Sequence, residues 1–169
     1  MDELPKRKQI RLKDYDYSQN GYYFITICTK DRQQILSDVR RGGVLLRPMG
    51  EIVENEMKQL TQRFKIEIEP YIIMPDHIHM IIKINHGTQH IIQRAEQSPA
   101  PTTVGDIICA LKSLTTKIAN KNDNCFGRKI WQRNYYEHII RDENDYVAKA
   151  EYIFNNPLKW EFERDDGLW

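Results

Sequence analysis

The decisive signal for the fold lies in the stretch Met74-Pro75-Asp76-His77-Ile78-His79-Met80-Ile81-Ile82, in which two histidines enter an apolar run. A β-branched run of this kind is typical of a buried strand. Because side chains at i and i+2 of a strand share a face, we expect His77 and His79 side by side, with the intervening apolar residues on the opposite face. Two imidazoles on a rigid strand are half of a metal site. The alternative is a pair of structural histidines at a strand end.

The surrounding segments predict antiparallel strands covered by helices. Runs rich in β-branched and aromatic residues indicate strands at residues 22–28, 66–74, 77–84 and 135–141. Apolar residues at helical spacing indicate helices at residues 50–64, 104–120 and 142–156. The third helix is expected to end at Asn155 or Asn156, because Pro157 follows. The order strand, helix, hairpin, helix, strand, helix predicts an α+β fold, a ferredoxin-like or RRM-like antiparallel sheet with helices packed mainly on one face.

Length and charge suggest one domain over residues 1–169. The chain has 169 residues, 40% of them apolar, which suffices for one good core. The net charge of +1 argues against a strongly basic, histone-like protein, yet the charges are uneven. An N-terminal arm of about residues 1–13 contains five basic and two acidic residues. A C-terminal tail of about residues 161–169 contains four acidic residues and one arginine.

The remaining composition excludes several classes of protein. Three cysteines, Cys28, Cys109 and Cys125, are widely spaced and suggest neither a disulfide framework nor a zinc knuckle. No signal-peptide-like or membrane-spanning run is present, so we expect a cytoplasmic protein without a membrane partner. No Gly-x-x-x-x-Gly-Lys-Ser/Thr loop is present either, and no nucleotide cofactor is expected. The polar segment 86–103 is read as a surface loop with no assignable role.

The third helix offers the chemistry that a histidine pair lacks. Tyr152 and Asn156 are four residues apart and therefore share a helical face. They present a hydroxyl that can act as a nucleophile beside an amide oxygen that can bind a hard cation. Taken singly, the tyrosine is more often packing and the asparagine more often the end of a helix. Tyr135 and Tyr136 compete as nucleophiles, but their strand position favours packing, with one facing the sheet and one facing away.

Three linked motifs carry a family resemblance. They are Tyr71-Ile72-Ile73-Met74-Pro75-Asp76-His77-Ile78-His79, Trp131-Gln132-Arg133-Asn134-Tyr135-Tyr136-Glu137-His138-Ile139-Ile140-Arg141 and Glu151-Tyr152-Ile153-Phe154-Asn155-Asn156-Pro157. In this order they resemble the single-tyrosine HUH transposases of the IS200/IS605-like superfamily, and more narrowly the REP-associated tyrosine transposases. The resemblance runs from about residue 11 to residue 160. Asparagine at 156, where the insertion-sequence branch more often has glutamine, fits the narrower group.

The resemblance implies a function and a site. His77, His79 and Asn156 would hold Mg²⁺ or Mn²⁺, and Tyr152 would be the nucleophile. The enzyme would nick and rejoin single-stranded DNA at hairpins from REP-like palindromes, through a 5′-phosphotyrosine intermediate, in DNA transposition or repeat mobilisation. Metal identity rests on the resemblance, because two imidazoles with only one amide form a soft, weakly charged site that also suits Zn²⁺. We expect a monomer with Tyr152 acting in cis, and a homodimer is the alternative, since insertion-sequence relatives share sites between subunits.

Basic residues are the candidates for contacts with DNA phosphates. They are Lys6, Arg7, Lys8 and Arg11 in the N-terminal arm, Lys112 and Lys117 on the second predicted helix, and Arg128, Lys129 and Arg133 near Trp131. Each of them is also compatible with an ordinary solvated charge.

Two other functions are open at this point. One is a domesticated protein that binds DNA hairpins and does not cleave them, which the intact Tyr152 and histidine pair disfavour. The other is a metal-dependent phosphodiesterase that uses water as its nucleophile, for which no covalent protein–DNA adduct would form.

Overall fold

The computed structural model describes residues 15–40, 43–85 and 102–165. The strands are β1 Gly21–Cys28, β2 Ser37–Arg40, β3 Gly43–Leu46, β4 Glu67–Ile73, β5 His77–Ile84 and β6 Tyr136–Ile140. The helices are α1 Pro48–Phe64, α2 Val104–Asn122 and α3 Glu143–Asp165, with a short 3-10 turn at Lys30–Arg32. The arm with Lys6, Arg7, Lys8 and Arg11, loop residues 86–101 and tail residues 166–169 lie outside the described residues.

The main sheet is antiparallel, with strand order β4-β5-β1-β6. Strand β5 is therefore an interior strand, and it forms the expected hairpin with β4. On its other side β5 pairs with β1, where His77 lies opposite Cys28 and His79 opposite Thr26. This register fixes where on the sheet the two histidines stand.

The two faces of the sheet have different coverings. Helices α1 and α2 cover one face, where residues such as Ile78, Met80 and Ile82 join the larger core. Helix α3 covers the other face, where Ile153 packs with Phe24, Ile81 and Ile140. The predicted α+β class with helices mainly on one face is confirmed, and the histidines of β5 lie on the α3 face.

The predicted end of the third helix was wrong. Helix α3 continues through Pro157 to Asp165 although the proline ring removes one backbone N–H from the helix. The extra turns bring Trp160 down onto the sheet, where it is buried with Val39 and Met74. Burial of an indole offsets the loss of one hydrogen bond, so tertiary packing overrides the local stop signal. Asn156 is consequently a residue in the interior of a helix.

A second, two-stranded sheet was not predicted. Strands β2 and β3, which follow β1 and precede α1 in the sequence, pair antiparallel with Val39 opposite Val44. Each strand has only four residues, which is too short for a periodic signal. The hairpin is tied to the rest of the fold by Arg47, whose guanidinium donates to the Asp38 carboxylate at 2.6 and 3.1 Å.

No helix in the described part of the chain combines the length and the apolar character that crossing a bilayer requires.

We predict that Gly50→Ala lowers the free energy of unfolding by about 1–3 kcal/mol, although alanine is the better helix former. A Cβ at Gly50 would overlap the carbonyl oxygen of Leu36, which is backbone and cannot turn away. Urea unfolding checks this. Gln59→Ala, at an exposed position of the same helix, is the control and should shift the value by less than about 0.5 kcal/mol. Equal stability of the two variants would contradict the proposed close contact.

Candidate active site

A cavity of about 470 Å³ opens between the sheet and α3. Its wall includes all four residues for which the sequence predicts chemistry, His77 and His79 from β5 and Tyr152 and Asn156 from α3. The other lining residues are Phe24, Thr26, Cys28, Arg32, Tyr136, Lys149, Lys159 and Trp160. Residues about 75 positions apart in the sequence are thus brought to one place, and their individual roles stay predictions.

The two imidazoles are close and oriented by neighbours. Their ring centroids are 4.5 Å apart with an interplanar angle of 68°. His77 Nδ1 lies 2.6 Å from the Asp76 carboxylate, which can only accept, so this nitrogen carries the proton. His79 Nδ1 lies 2.8 Å from the Thr26 hydroxyl. Both hydrogen bonds use Nδ1, which leaves Nε2 of each ring for a further ligand, as in many metal sites.

Asp76 bonds to both His77 and Arg32, an arrangement that the sequence did not predict. The Asp76 carboxylate is 2% exposed and shares its charge between His77 and the Arg32 guanidinium, whose Nε lies 3.3 Å away. A buried carboxylate with both partners in place is stabilised, and it holds the imidazole in one orientation. The available sequence signal was the acidic residue directly before the histidine motif.

His79 is neutral at physiological pH. Its pKa is lowered to about 3, mainly because the ring is buried and also because His77 and Arg32 lie nearby. A neutral imidazole keeps its lone pair, which is the form that binds a metal ion. The donor set present is therefore two imidazole nitrogens and the amide of Asn156, which is 7% exposed. Within residues 15–40, 43–85 and 102–165, no group of three or more His, Cys, Asp or Glu side chains has the arrangement of a metal site.

Tyr152 makes an edge-to-face ring contact with His79. Its ring centroid lies 5.0 Å from that of His79 and 6.0 Å from that of Phe24, and its side chain is 43% exposed. Tyr136 also lines the cavity, but its ring contacts Phe24 rather than a histidine. Tyr135 packs against the larger core and under the Lys112 ammonium. The two competing tyrosines thus face opposite ways, with Tyr136 at the start of β6 and Tyr135 directly before it. Tyr152 has the better geometry for chemistry at the histidines.

The predicted DNA-contacting residues that are described lie elsewhere. They line a concave surface between α2 and the chain before β6, and they are Lys112, Lys117, Arg128, Lys129 and Arg133. Helix α2 packs on the face of the sheet opposite the histidines. Lys112 donates to the carbonyls of Gln132 and Asn134, each at 2.9 Å, and Arg128 pairs with Asp123. Lys112 and Arg128 therefore stabilise the chain between α2 and β6.

Different cations line the cavity itself, and none of them is among the residues predicted to contact DNA. They are Arg32, Lys149 and Lys159. The Lys149 ammonium lies 5.4 Å from the centre of the Phe24 ring. The position of Lys149 three residues before Tyr152, and so on the same helical face, was the available signal.

Comparisons with known proteins give a family match over most of the chain, several relatives and a solved structure of similar fold. A family model described as IS200-like transposase matches residues 17–156. An uncharacterised protein of Haemophilus influenzae is 38% identical over 164 residues, which is 92% of this chain and 90% of the relative. A REP-associated tyrosine transposase of Escherichia coli K12 is 23% identical over 143 residues, covering 85% of this chain and 70% of that protein. A solved REP-associated tyrosine transposase bound to a REP hairpin superposes with a TM-score of 0.62 at 21% identity, covering 88% and 73% of the two chains, and shows the fold.

We predict that His79 stays neutral in the metal-free protein down to about pH 4, where an unperturbed histidine would be charged. Side-chain NMR of the imidazole nitrogens measures this directly. The unfolded chain takes up this proton near pH 6.5 and the folded protein only near pH 3, so His79 reduces the free energy of unfolding as the pH falls through that interval. A His79 titration midpoint near 6.5 would contradict the buried, neutral ring.

Proposed function

The chain belongs to the IS200-like transposase family, single-tyrosine enzymes that cut and rejoin DNA, and we propose that it is a metal-dependent strand transferase for single-stranded DNA. The observation that carries the proposal is the shared cavity. In it the Tyr152 ring lies 5.0 Å from His79, and Asn156 lies one helical turn further along the same helix.

A divalent ion, Mg²⁺ or Mn²⁺, fits the residues on the cavity wall. His77, His79 and Asn156 would hold it, because both rings turn their Nδ1 to Asp76 or Thr26 and the pKa of His79 keeps that ring unprotonated. When bound, the ion would supply Lewis-acid stabilisation of charge on the phosphate and on the departing oxygen. Three neutral donors leave open positions for water or substrate, which favours a catalytic site over a structural one.

Tyr152 supplies the nucleophile. Its Oη forms a bond to phosphorus and gives its phenolic proton to solvent water, and the bond from phosphorus to the 3′ oxygen breaks. The departing oxygen takes up a proton, giving a free 3′-hydroxyl and a 5′-phosphotyrosine. One phosphodiester replaces another of similar energy, so the reverse attack by a 3′-hydroxyl rejoins DNA without ATP. The exposure of Tyr152 supports this role, since a polynucleotide can reach its ring.

The arrangement supports a monomer in which Tyr152 acts in cis. The tyrosine and the histidines of one chain already meet in one cavity, and no second subunit is needed to complete the set. Hairpins from REP-like palindromes are the proposed substrate, because an E. coli relative is named a REP-associated transposase and a solved structure of similar fold holds a REP hairpin.

We predict that incubating the protein with labelled hairpin DNA and Mn²⁺ gives a covalent adduct on a denaturing gel, and that Tyr152→Phe abolishes the adduct. The phenylalanine keeps the ring contacts with His79 and Phe24 but lacks the nucleophilic oxygen. Tyr22→Phe, on β1 outside the cavity, is the matched control and should react like the wild type.

The other outcomes separate the competing functions. An adduct that persists in Tyr152→Phe would move the nucleophile to Tyr136. Cut DNA without any adduct would indicate hydrolysis by water. Tight binding with neither cleavage nor adduct would indicate a protein that only binds hairpins.

We predict that Asn156→Ala weakens Mn²⁺ binding by about 10- to 100-fold and slows adduct formation, with partial recovery at high Mn²⁺. Electron paramagnetic resonance of free Mn²⁺ measures the affinity in the absence of DNA. Asn155→Ala, at the exposed neighbouring position, is the control and should bind Mn²⁺ like the wild type. Asn156→Asp should retain binding, since it keeps an oxygen ligand. Unchanged Mn²⁺ affinity in Asn156→Ala would remove this residue from the site.

A further inference from the structure

Tyr136 is an exposed aromatic side chain at the mouth of the cavity. It is 52% exposed on β6, which is an edge strand of the main sheet. Its neighbour Tyr135 shows what a packing tyrosine looks like in this fold, because that ring is partly buried against the larger core. An open ring on the face of a sheet is the feature with which many proteins bind unpaired bases.

The ring of Tyr136 is linked to the candidate catalytic residues through Phe24. The Phe24 centroid lies 6.3 Å from that of Tyr136 and 6.0 Å from that of Tyr152, both in edge-to-face contact. Phe24 also stacks on His79 at 5.5 Å. Tyr136 and Tyr152 therefore both contact one buried ring and line the same cavity, so a strand bound at Tyr152 can also reach Tyr136.

Lys149 adds a positive charge to this part of the cavity. It stands on α3 one turn before Tyr152, and its ammonium lies over the Phe24 ring at 5.4 Å. No salt bridge to Lys149 occurs among the side chains described in residues 15–40, 43–85 and 102–162. A stacking surface and a cation that both adjoin the Phe24 ring match the two parts of a nucleotide, its base and its phosphate.

We propose that Tyr136 and Lys149 form a nucleotide-binding subsite of the active site. The Tyr136 ring stacks on the unpaired base next to the scissile phosphodiester, and the Lys149 ammonium pairs with the adjoining backbone phosphate. Both are positioning residues, and neither takes part in the bond changes. Stacking is tolerant of base identity, so this subsite orients the strand rather than reading its sequence. The inference rests on the proposed function and assigns part of the substrate to named side chains.

Fluorescence anisotropy with two labelled single strands tests the subsite in the metal-free protein. One is a thymidine oligonucleotide, and the other is an abasic strand of the same length that keeps the phosphates and lacks the bases. Tyr136→Ala should weaken binding of the thymidine strand by about 5- to 100-fold and leave the abasic strand unaffected. Lys149→Gln should weaken both strands and lower the slope of affinity against salt by about one charge.

Controls separate stacking from a fold defect. Tyr136→Phe should bind like the wild type, because it keeps the ring. Phe154→Ala removes an aromatic ring of similar exposure from α3 outside the cavity, and it should not change binding of either strand. Near-equal melting temperatures of Tyr136→Ala and Phe154→Ala exclude unfolding as the cause.

Four results would overturn the subsite. They are unchanged binding in Tyr136→Ala, equal loss on both strands in that variant, a Tyr136→Phe variant as weak as the alanine, and failure of the wild type to bind thymidine strands. The covalent adduct on hairpin DNA is measured separately, so a subsite that fails beside a normal adduct leaves the proposed function standing, and a missing adduct counts against the function itself.

Discussion

The structure depends on the alternation of side chains along β5. One face of this strand places Ile78, Met80 and Ile82 in the larger core, and the other places His77 and His79 under α3. A shift of one residue in its pairing would bury both imidazoles in the apolar core and expose the isoleucines, so the core itself enforces the register. Hydrophobic burial on one face of β5 therefore fixes the positions of the two histidines on the other face.

Helix α3 completes the site because it is pinned at two points. Ile153 packs into the smaller core, and Trp160 is buried two turns later beyond Pro157. Tyr152 precedes the first anchor and Asn156 lies between the two, so both residues are held against the histidines while the helix keeps its remaining faces in solvent. The continuation past the proline is thus part of the site, since without the Trp160 anchor the turn that carries Asn156 would be a frayed helix end.

Sequence reasoning predicted what local periodicity controls and missed what tertiary contacts control. The histidine strand, its hairpin and the two amphipathic helices follow from spacing alone, and the family resemblance joined His77 and His79 to Tyr152. The end of α3 was missed because Trp160 acts through contacts with Val39 and Met74, which are distant in sequence. The roles of Asp76 and Arg32 were missed because each is an ordinary charged residue until the fold brings it to His77. Strand alternation predicted that Tyr135 and Tyr136 face opposite ways, but only the packing of the fold shows that Tyr136 is the exposed one.

The neutral character of the proposed metal ligands has an electrostatic consequence. Two imidazoles and an amide cancel none of the charge of a divalent ion, whereas Asp76 is already committed to His77 and Arg32. An ion there would be held weakly by the protein alone and would attract phosphate strongly. By linkage, DNA in the cavity would then tighten metal binding by the same factor as the metal tightens DNA binding. The lysines and the arginine on the cavity wall also attract the anionic DNA backbone. The charges of the ion and of these side chains would therefore be balanced only when DNA is bound.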